Sequence, residues 1–369
     1  MPIDNREMLR ELIARRRIAL RDAPILDAPV RPVCTANLRD RVEGMLLGLA
    51  IGDALGNTTE SMNPEDREAK YGEIRDYRPN LHMEGRRVGL PSDDTQMAFW
   101  TLRRLNEDGG LLPVAVAREF CSHRILGIGR SVLDFTRRFK SGSMNWVEAA
   151  SRTAGNGALM RIAPVLVPHL AAPSPALRAD AAIAATITHH DTASTAGCVA
   201  FVMLLWELLS CDEAPEPSWW IDTFTDVLRP LELDTTYRPR KPDLDWTGRL
   251  SEFIDAYVRP AVAAGMTARA ASRRWHSGAY LLETVPSALF ILARYGHDLE
   301  EAIVRAVNDT RDNDTVAAIV GAAVGALHGR AALPRRWITH LLGRTDVADD
   351  GEVFRIIDQA VRLWVPATT

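Results

Sequence analysis

Apolar residues recur every three or four positions along most of this 369-residue chain, which is the spacing of the buried face of an α-helix. Hardly any segment shows the strict apolar–polar alternation of a half-buried β-strand. The clearest helical segments are residues 38–49, 95–105, 114–121, 158–167, 176–186, 195–209 and 316–328. The pattern predicts an all-α fold, built as a single large helical domain over residues 37–369.

A stripe of small residues lies in the last of these segments. Gly321, Gly325 and Gly329 are spaced four residues apart and therefore share one helix face. Because glycine has no side chain, a second helix can approach that face closely. The stripe predicts a central helix that is tightly packed against its neighbours.

The first 36 residues differ from the rest of the chain. An arginine-rich segment, which we predict to be helical, is followed by prolines at positions 24, 29 and 32 that exclude a continuing helix. These arginines and prolines add nothing obvious to a core. We therefore expect residues 1–36 to form an N-terminal extension that acts separately from the domain, either as a flexible or oligomer-bridging tail or as an arm that inserts into a partner.

Two other stretches are predicted to be long loops. Residues 62–91 mix charged residues with Pro and Gly, and residues 211–244 contain repeated prolines around Trp219 and Trp220. Loops of this length in a compact domain are usually lids or variable insertions.

Charge and hydropathy exclude several classes of protein. A net charge of −4 and a pI near 6.2 give no global attraction to nucleic acid or anionic lipid. The longest apolar stretches, 196–206 and 316–327, fall short of the roughly 20 residues needed to span a bilayer. The N-terminus lacks a secretory signal, so we expect a cytoplasmic protein. The Cys residues form no Cys-x-x-Cys pair that would indicate a zinc site or a disulfide framework.

Two acidic clusters stand directly before helical segments. They are Ser92-Asp93-Asp94-Thr95 and Asp312-Asn313-Asp314-Thr315. Each could simply cap its helix, because Ser, Asp and Thr accept the free N–H groups of a first turn. A cap needs only one side-chain oxygen, however, and each cluster offers two carboxylates and a hydroxyl. If the two helix starts converge, repulsion between the carboxylates requires a cation, and oxygen ligands without His or Cys favour Mg²⁺, Mn²⁺ or Ca²⁺.

Three further segments carry candidate polar groups. The glycine-rich segment 44–56 contains Asp53, which is either buried and hydrogen-bonded or part of a site, and leads on to Glu60. Residues 153–157, Thr-Ala-Gly-Asn-Gly, form either a plain turn or a loop whose free N–H groups hold a phosphate. His189-His190-Asp191 lies between two helical segments without the sequence context of a catalytic triad or a zinc site.

Taken together, these segments resemble the ADP-ribosylglycohydrolase family, whose enzymes remove ADP-ribose from modified proteins. The resemblance covers about residues 38–329. Its motifs occur in the family's order, and they are Gly52-Asp53-Ala54-Leu55-Gly56 with Glu60, Ser92-Asp93-Asp94-Thr95, Gly155-Asn156-Gly157-Ala158-Leu159-Met160-Arg161, Thr188-His189 and Asp312-Asn313-Asp314-Thr315. Residues 278–286 resemble a further family segment.

The resemblance implies an all-helical fold with two Mg²⁺ ions, or Mn²⁺, in a central cleft. It implies metal ligands at both helix starts, which are Ser92, Asp93, Asp94, Asp312, Asp314 and Thr315. It implies that Glu60 is a mobile acid near the metals and that the proton is handled by Glu60 or by a metal-site acid such as Asp94 or Asp314. It also implies that the ADP-ribose group is held by Thr153, Gly155, Asn156, Gly157 and His189.

The chain departs from the family pattern at two places. Thr310-Arg311 stands where the family usually has two glycines, so Arg311 could reach the site, and the N-terminal extension is additional. Two functions are compatible with these features. One is a hydrolase that releases ADP-ribose from an ADP-ribosylated protein, with arginine as the expected linkage. The other is an immunity protein that blocks an ADP-ribosyltransferase toxin through its N-terminal arm, with or without hydrolase activity.

Overall fold

The computed structural model describes residues 4–346 and 351–366, and within these ranges the chain forms helices and no β-sheet. Pairing between extended segments is limited to isolated bridges, such as Ser151 with His189. The predicted all-α fold is confirmed. No helix in the described ranges is long and apolar enough to cross a membrane.

The α-helices follow one another along the chain, joined by connections of widely different length. The first half contains α1 (Arg6–Ala14), α2 (Leu38–Gly56), α3 (Pro64–Tyr71), α4 (Asp93–Asp108), α5 (Pro113–Ser122), α6 (Arg130–Lys140), α7 (Trp146–Ala149), α8 (Ala176–Thr186) and α9 (Thr192–Leu208). The second half contains α10 (Pro217–Leu231), α11 (Leu250–Phe253), α12 (Arg259–Ala263), α13 (Ala268–Trp275), α14 (Leu281–Tyr295), α15 (Leu299–Asp309), α16 (Asn313–His328), α17 (Arg335–His340) and α18 (Glu352–Trp364). A π-helical turn, Ile254–Val258, joins α11 to α12.

Helices α2 and α16 form the centre of the fold, and glycines bring their backbones into contact. A methyl group on Gly48 would lie 2.1 Å from the carbonyl oxygen of Gly321, and one on Gly325 would lie 2.1 Å from that of Gly44. The predicted close approach at Gly321 and Gly325 is therefore present. The same contact continues to Gly56, where a methyl group would lie 2.4 Å from the Cα of Asp314. It places the end of α2 against the start of α16.

The prediction of two long loops is wrong for part of each segment, because each contains an α-helix, whereas residues 72–91 and 232–244 contain none. Residues 62–91 include α3 and residues 211–244 include α10. Pro64 and Pro217 stand at the first helical position, where a proline N–H is not needed. Trp220 and Phe224 lie on the buried face of α10. Burial of that face stabilises the helix, although the prolines of the segment predict a loop.

Residues 158–167 are helical but not α-helical. They form two 3₁₀ segments, Leu159–Arg161 and Ala163–His169. Pro164 and Pro168 lack the N–H group that an α-helix requires, which accounts for the difference.

The N-terminal extension packs against the rest of the chain, so the expectation that it adds nothing to a core is wrong. Its predicted helix is α1. Apolar side chains along its length belong to the main hydrophobic core, and they are Leu9, Ile18, Leu20, Leu26 and Val30. The buried Asn5 donates hydrogen bonds to Asp180 Oδ1 at 2.7 Å and to the Leu111 carbonyl at 2.9 Å. Most of the extension is thus anchored to the helical domain.

Candidate functional site

The carboxylate of Asp53, near the end of α2, accepts hydrogen bonds from residues at the start of α4. Asp53 accepts hydrogen bonds from the backbone N–H of Ser92 at 2.9 Å and of Thr95 at 3.1 Å. It also accepts hydrogen bonds from the hydroxyl of Ser92 at 2.8 Å and from that of Thr95 at 2.5 Å. Asp53 is therefore fully buried and hydrogen-bonded, and it fastens the end of α2 to the start of α4.

Carboxylates from three helix ends converge next to this junction. Oxygen atoms of Asp53, Asp94 and Asp314 lie within 4.8 Å of one another, and so do oxygen atoms of Glu60, Asp312 and Asp314. Asp314 belongs to both groups and joins them into one set, which we call the acid cluster. The two acidic motifs and Glu60 are thus brought together, as the sequence indicated.

Burial and mutual repulsion disfavour the charged form of these acids. The pKa values of Asp94 and Asp314 are raised well above the usual range, first by burial and then by the neighbouring carboxylates. Burial raises the pKa of Asp312 to about 7, and the amide of Asn156 acts in the opposite direction. The pKa of Glu60, which is exposed, is also raised by desolvation and by Asp53. The described surroundings of the acid cluster therefore favour the neutral form of these acids over the charged form.

The donor set suits a hard divalent cation. The Oδ1 atom of Asp94 is buried and has no hydrogen-bond partner among the described residues, which is unusual for a buried carboxylate oxygen. The neighbouring donors are carboxylates and hydroxyls, the ligands that Mg²⁺ and Mn²⁺ prefer. A bound cation would satisfy both the free oxygen and the excess negative charge.

The remaining residues of the two acidic motifs lie around the cluster. The hydroxyl of Ser92 lies 2.9 Å from Asp94 Oδ2, and Thr315 is buried in the first turn of α16. Asp93 is buried and accepts a hydrogen bond from the backbone of Gly129, while burial and the charges of Asp53 and Glu60 raise its pKa well above the usual range. Asp93 belongs to neither group of converging oxygens.

The loop that contains Gly155, Asn156 and Gly157 touches the acid cluster through one side chain. The amide Nδ2 of Asn156 donates to Asp312 Oδ2 at 2.5 Å and to Thr284 Oγ1 at 2.9 Å. The exposed Thr153 at the loop's start lies with its hydroxyl 2.6 Å from Ser131 Oγ. The loop is followed by the 3₁₀ turn Leu159–Arg161.

His189 lies directly beneath the two glycines of this loop. A methyl group on Gly155 would lie 3.2 Å from His189 Nε2, and one on Gly157 would lie 3.0 Å from Cε1. His189 is 1% exposed, and its pKa is lowered to about 3 by burial and by the charge of Arg161. The imidazole is therefore neutral at neutral pH. Its Nδ1 lies 2.9 Å from the hydroxyl of Thr188.

Three residues that sequence reasoning did not assign lie on the other side of the loop. Tyr280 pairs with Gly155 in an isolated bridge, and the guanidinium of Arg240 lies 5.2 Å from the centre of the Tyr280 ring. Buried Glu283 holds Arg240 through hydrogen bonds of 2.9 and 2.5 Å. Tyr280 and Glu283 fall in the segment 278–286, whose resemblance to the family could have indicated them. Arg240 lies in the stretch predicted to be a loop, where no sequence feature pointed to it.

Two other candidate groups have local partners. Asp191 caps α9 through the backbone N–H of Ser194 at 3.2 Å and accepts the hydroxyl of Tyr237 at 3.1 Å. Arg311 donates to Asn63 Oδ1 at 3.1 Å, and no hydrogen bond joins it to the acid cluster among the described residues.

Comparison with known proteins identifies relatives of this chain. A model of the ADP-ribosylglycohydrolase family matches residues 35–365. The ADP-ribosyl-[dinitrogen reductase] glycohydrolase of Rhodospirillum rubrum is 25% identical over 334 residues, which cover 89% of this chain and 97% of that protein. The ADP-ribosylarginine hydrolase Tri1 of Pseudomonas putida strain GB-1 is 25% identical over 310 residues, which cover 81% of this chain and 73% of that protein.

A solved structure supports the same relationship at the level of the fold. It is described as an ADP-ribosylglycohydrolase-related protein complex, and it matches with a TM-score of 0.64 and 24% sequence identity over 89% of this chain and 99% of that chain. The family match extends from before α2 to the end of α18. The chain therefore belongs to the ADP-ribosylglycohydrolase family.

Proposed function

We propose that this protein is a metal-dependent hydrolase that removes ADP-ribose from arginine side chains of modified proteins. The family acts on ADP-ribosylated proteins. The observation that carries the proposal is the convergence of Asp94, Asp312 and Asp314 on one space that is linked through Asn156 to the loop 153–157.

The acid cluster is the proposed cation site. We assign Asp94, Asp312 and Asp314 as its carboxylate ligands, with Asp93 and the hydroxyls of Ser92 and Thr315 beside them. Asp53 is an additional candidate, because its oxygen atoms lie among those of Asp94 and Asp314. Two Mg²⁺ or Mn²⁺ ions are expected, since the cluster consists of two overlapping groups. A divalent cation held there supplies positive charge and Lewis acidity next to the reacting bond.

The loop 153–157 is the proposed binding site for the ADP-ribose group. Its backbone N–H groups and the hydroxyl of Thr153 are suited to phosphate and ribose oxygens. The glycines at 155 and 157 leave room for the ligand to approach, and neutral His189 offers a hydrogen-bonding group beneath them. Asn156 places this loop at a fixed distance from Asp312.

The chain's own acids are proposed to handle the proton and to stabilise positive charge on the sugar. Cleavage of a glycosidic bond passes through an oxocarbenium-like state, which nearby carboxylates stabilise. Glu60 is the exposed member of the acid cluster and follows a short 3₁₀ turn, Asn57–Thr59. It is thus the acid best placed to move between solvent and the reacting bond, while Asp94 and Asp314 are held inside the fold.

Arginine is proposed as the modified residue because a relative that spans most of this chain is named an ADP-ribosylarginine hydrolase. The test uses two proteins, one ADP-ribosylated on arginine and one on serine, each incubated with and without Mg²⁺. We expect release of ADP-ribose from the arginine-linked protein only when Mg²⁺ is present. Release from the serine-linked protein alone would refute the linkage, and full activity in a chelated sample would refute the metal dependence.

A further inference from the structure

A cavity of about 860 Å³ opens beside the acid cluster. Its volume falls in the range of ligand sites in proteins. It lies between the segment after α3, the start of α4, the connection between α5 and α6, and residues 344–346. Its lining contains none of the residues of the loop 153–157, and it does not include Asp94, Asp312 or Asp314. The cavity is therefore separate from the proposed ADP-ribose site.

Two residues connect the cavity to the acid cluster. Ser92 lines the cavity, and its hydroxyl lies 2.9 Å from Asp94 Oδ2. Gly127 also lines it, and a methyl group there would lie 3.5 Å from Asp93 Oδ1. The loop 153–157, in contrast, reaches the cluster through Asp312. The loop 153–157 thus meets the acid cluster at the start of α16, and the cavity meets it at the start of α4. A substrate whose reacting bond lies at the cluster has the loop on one side and the cavity on the other.

The wall of the cavity is held in place by one buried side chain. Gln96 accepts the backbone N–H of Leu126 at 2.7 Å and donates to the carbonyls of Thr345 at 2.9 Å and Arg124 at 3.3 Å. Two parts of the lining, the connection between α5 and α6 and residues 344–346, are thereby tied to α4. A wall fixed in this way is preformed and costs little ordering on binding.

The chemistry of the lining favours an acidic ligand. Basic side chains in the lining include His82 and Arg124, and among the described lining residues Asp346 is the one carboxylate. Asp346 already lies 3.4 Å from Nδ1 of His123. Arg124 is exposed, and its guanidinium has no ion pair or hydrogen bond among the described residues. It can therefore pair with an incoming carboxylate.

We infer that this cavity binds the acceptor protein on the far side of the bond that is cleaved, and that it selects acceptors with an acidic residue near the modified side chain. The inference rests on the proposed function, because it takes the acid cluster as the place where the bond is broken. Arg124 is then a specificity residue. It contacts the acceptor polypeptide, while the ADP-ribose group is held elsewhere.

The test compares three substrates with the wild-type enzyme. They are free ADP-ribosylarginine, a peptide with ADP-ribosylarginine flanked by Asp and Glu, and the same peptide flanked by Ser. We expect the acidic peptide to have the lowest KM. The Arg124→Glu variant should raise the KM for the acidic peptide about fivefold, since it replaces an attraction by a repulsion, and should leave the hydrolysis of free ADP-ribosylarginine unchanged. Arg118→Glu, at an exposed arginine of α5 outside the cavity, is the matched control.

The outcomes separate the inference from the proposed function. Equal KM values of Arg124→Glu and Arg118→Glu for the acidic peptide would overturn the inference and leave the proposed function standing. An equal loss on all three substrates would also overturn it, because Arg124 would then act on the ADP-ribose group or the fold. If the wild-type enzyme hydrolyses none of the three, the proposed function itself is refuted, and the inference with it.

Discussion

Asn156 and Asp312 are joined by a hydrogen bond of 2.5 Å from the side-chain amide to the carboxylate. This contact couples the loop 153–157 to the acid that directly precedes α16. The amide favours the charged form of Asp312, against the effect of burial. One side chain thus touches the proposed ligand loop and orients a proposed metal ligand.

Substitution of Asn156 is therefore expected to weaken the binding of both Mg²⁺ and ADP-ribose. Asn156→Ala removes the donor that orients Asp312, and loss of such a partner typically lowers metal affinity by about 10- to 100-fold. Calorimetric titration of the variant with Mg²⁺ alone, and then with ADP-ribose at saturating Mg²⁺, measures the two effects separately. An unchanged Mg²⁺ affinity would show that Asp312 does not need this contact, and an unchanged ADP-ribose affinity would reject the loop as the binding site.

Replacement of Asp53 by Ala and replacement of Asp314 by Ala are expected to change the stability of the metal-free protein by different amounts. Asp53 accepts the N–H and hydroxyl groups of Ser92 and Thr95, so Asp53→Ala leaves buried donors unpaired. We expect it to lower the free energy of unfolding by about 3 kcal/mol. Urea denaturation in the presence of a chelator measures this change.

Asp314 has few partners to lose. Its carboxylate accepts one backbone N–H, that of Thr315 at 2.9 Å, and its charge is repelled by Asp94 and Asp312. Asp314→Ala should therefore change metal-free stability by less than about 1 kcal/mol, while abolishing the rise in melting temperature that Mg²⁺ causes in the wild-type protein. If Asp314→Ala unfolds the metal-free protein and Mg²⁺ has no effect on the wild type, Asp314 is a structural residue rather than a ligand.

The contact between α2 and α16 is expected to tolerate no side chain at Gly48. A methyl group there would lie 2.1 Å from the backbone oxygen of Gly321, and neither backbone can move without displacing the acid cluster. Gly48→Ala should destabilise the protein by about 3 kcal/mol or more. Gly197→Ala on α9 is the control, because a methyl group meets nothing within 4 Å there, and Ala is favoured over Gly in a helix by about 1 kcal/mol. Equal melting temperatures of the two variants would contradict this account.

Local patterns were sufficient to predict the parts of the fold that depend on them. Helices α4 and α16 begin within the two acidic motifs, at Asp93 and Asn313, and Gly321 and Gly325 permit the close approach of α16 to α2. The prolines of residues 211–244 predict a loop where α10 forms, because Pro217 occupies the first turn of the helix and Pro230 lies next to its last residue. Burial of one helix face outweighed the local signal.

Contacts between distant segments could not be predicted in the same way. Asp53 stands 39 positions before Ser92 in the chain, and only the packing of α2 brings its carboxylate to the start of α4. For the same reason the arginines of the N-terminal extension suggested a free arm. In the structure Arg17 pairs with Glu148 at 2.8 Å and Arg21 with Asp234 at 2.8 Å.

Removal of residues 1–33 is now expected to destabilise the whole protein. Several of the lost side chains, including Leu9, Leu20 and Leu26, are buried in the core, and each contributes about 1.5–3 kcal/mol. The truncated protein should melt at a lower temperature and lose solubility, which calorimetry and size-exclusion chromatography would detect. Arg16→Ala, at an exposed position of the same segment, should leave the melting temperature unchanged. A truncated protein as stable as the full chain would restore the hypothesis of an independent arm.

His189 is expected to make the folded state less stable as the pH falls. In the unfolded chain its pKa is near 6.5, whereas burial and the charge of Arg161 lower it to about 3 in the folded state. Between these values the unfolded state binds a proton that the folded state does not, so stability is lost by about 1.4 kcal/mol per pH unit. The buried carboxylates act in the opposite direction, because their raised pKa values favour proton binding by the folded state.

The contribution of His189 is therefore isolated as the difference in free energy of unfolding between the wild-type protein and His189→Asn, which retains a polar group next to Thr188. Urea denaturation of both proteins at pH 7, 6 and 5 in a chelating buffer should show this difference falling as the pH falls. A difference that is constant over this range would mean that His189 is protonated in the folded state as readily as in the unfolded chain, and so is not the neutral group proposed to lie beneath the ADP-ribose loop.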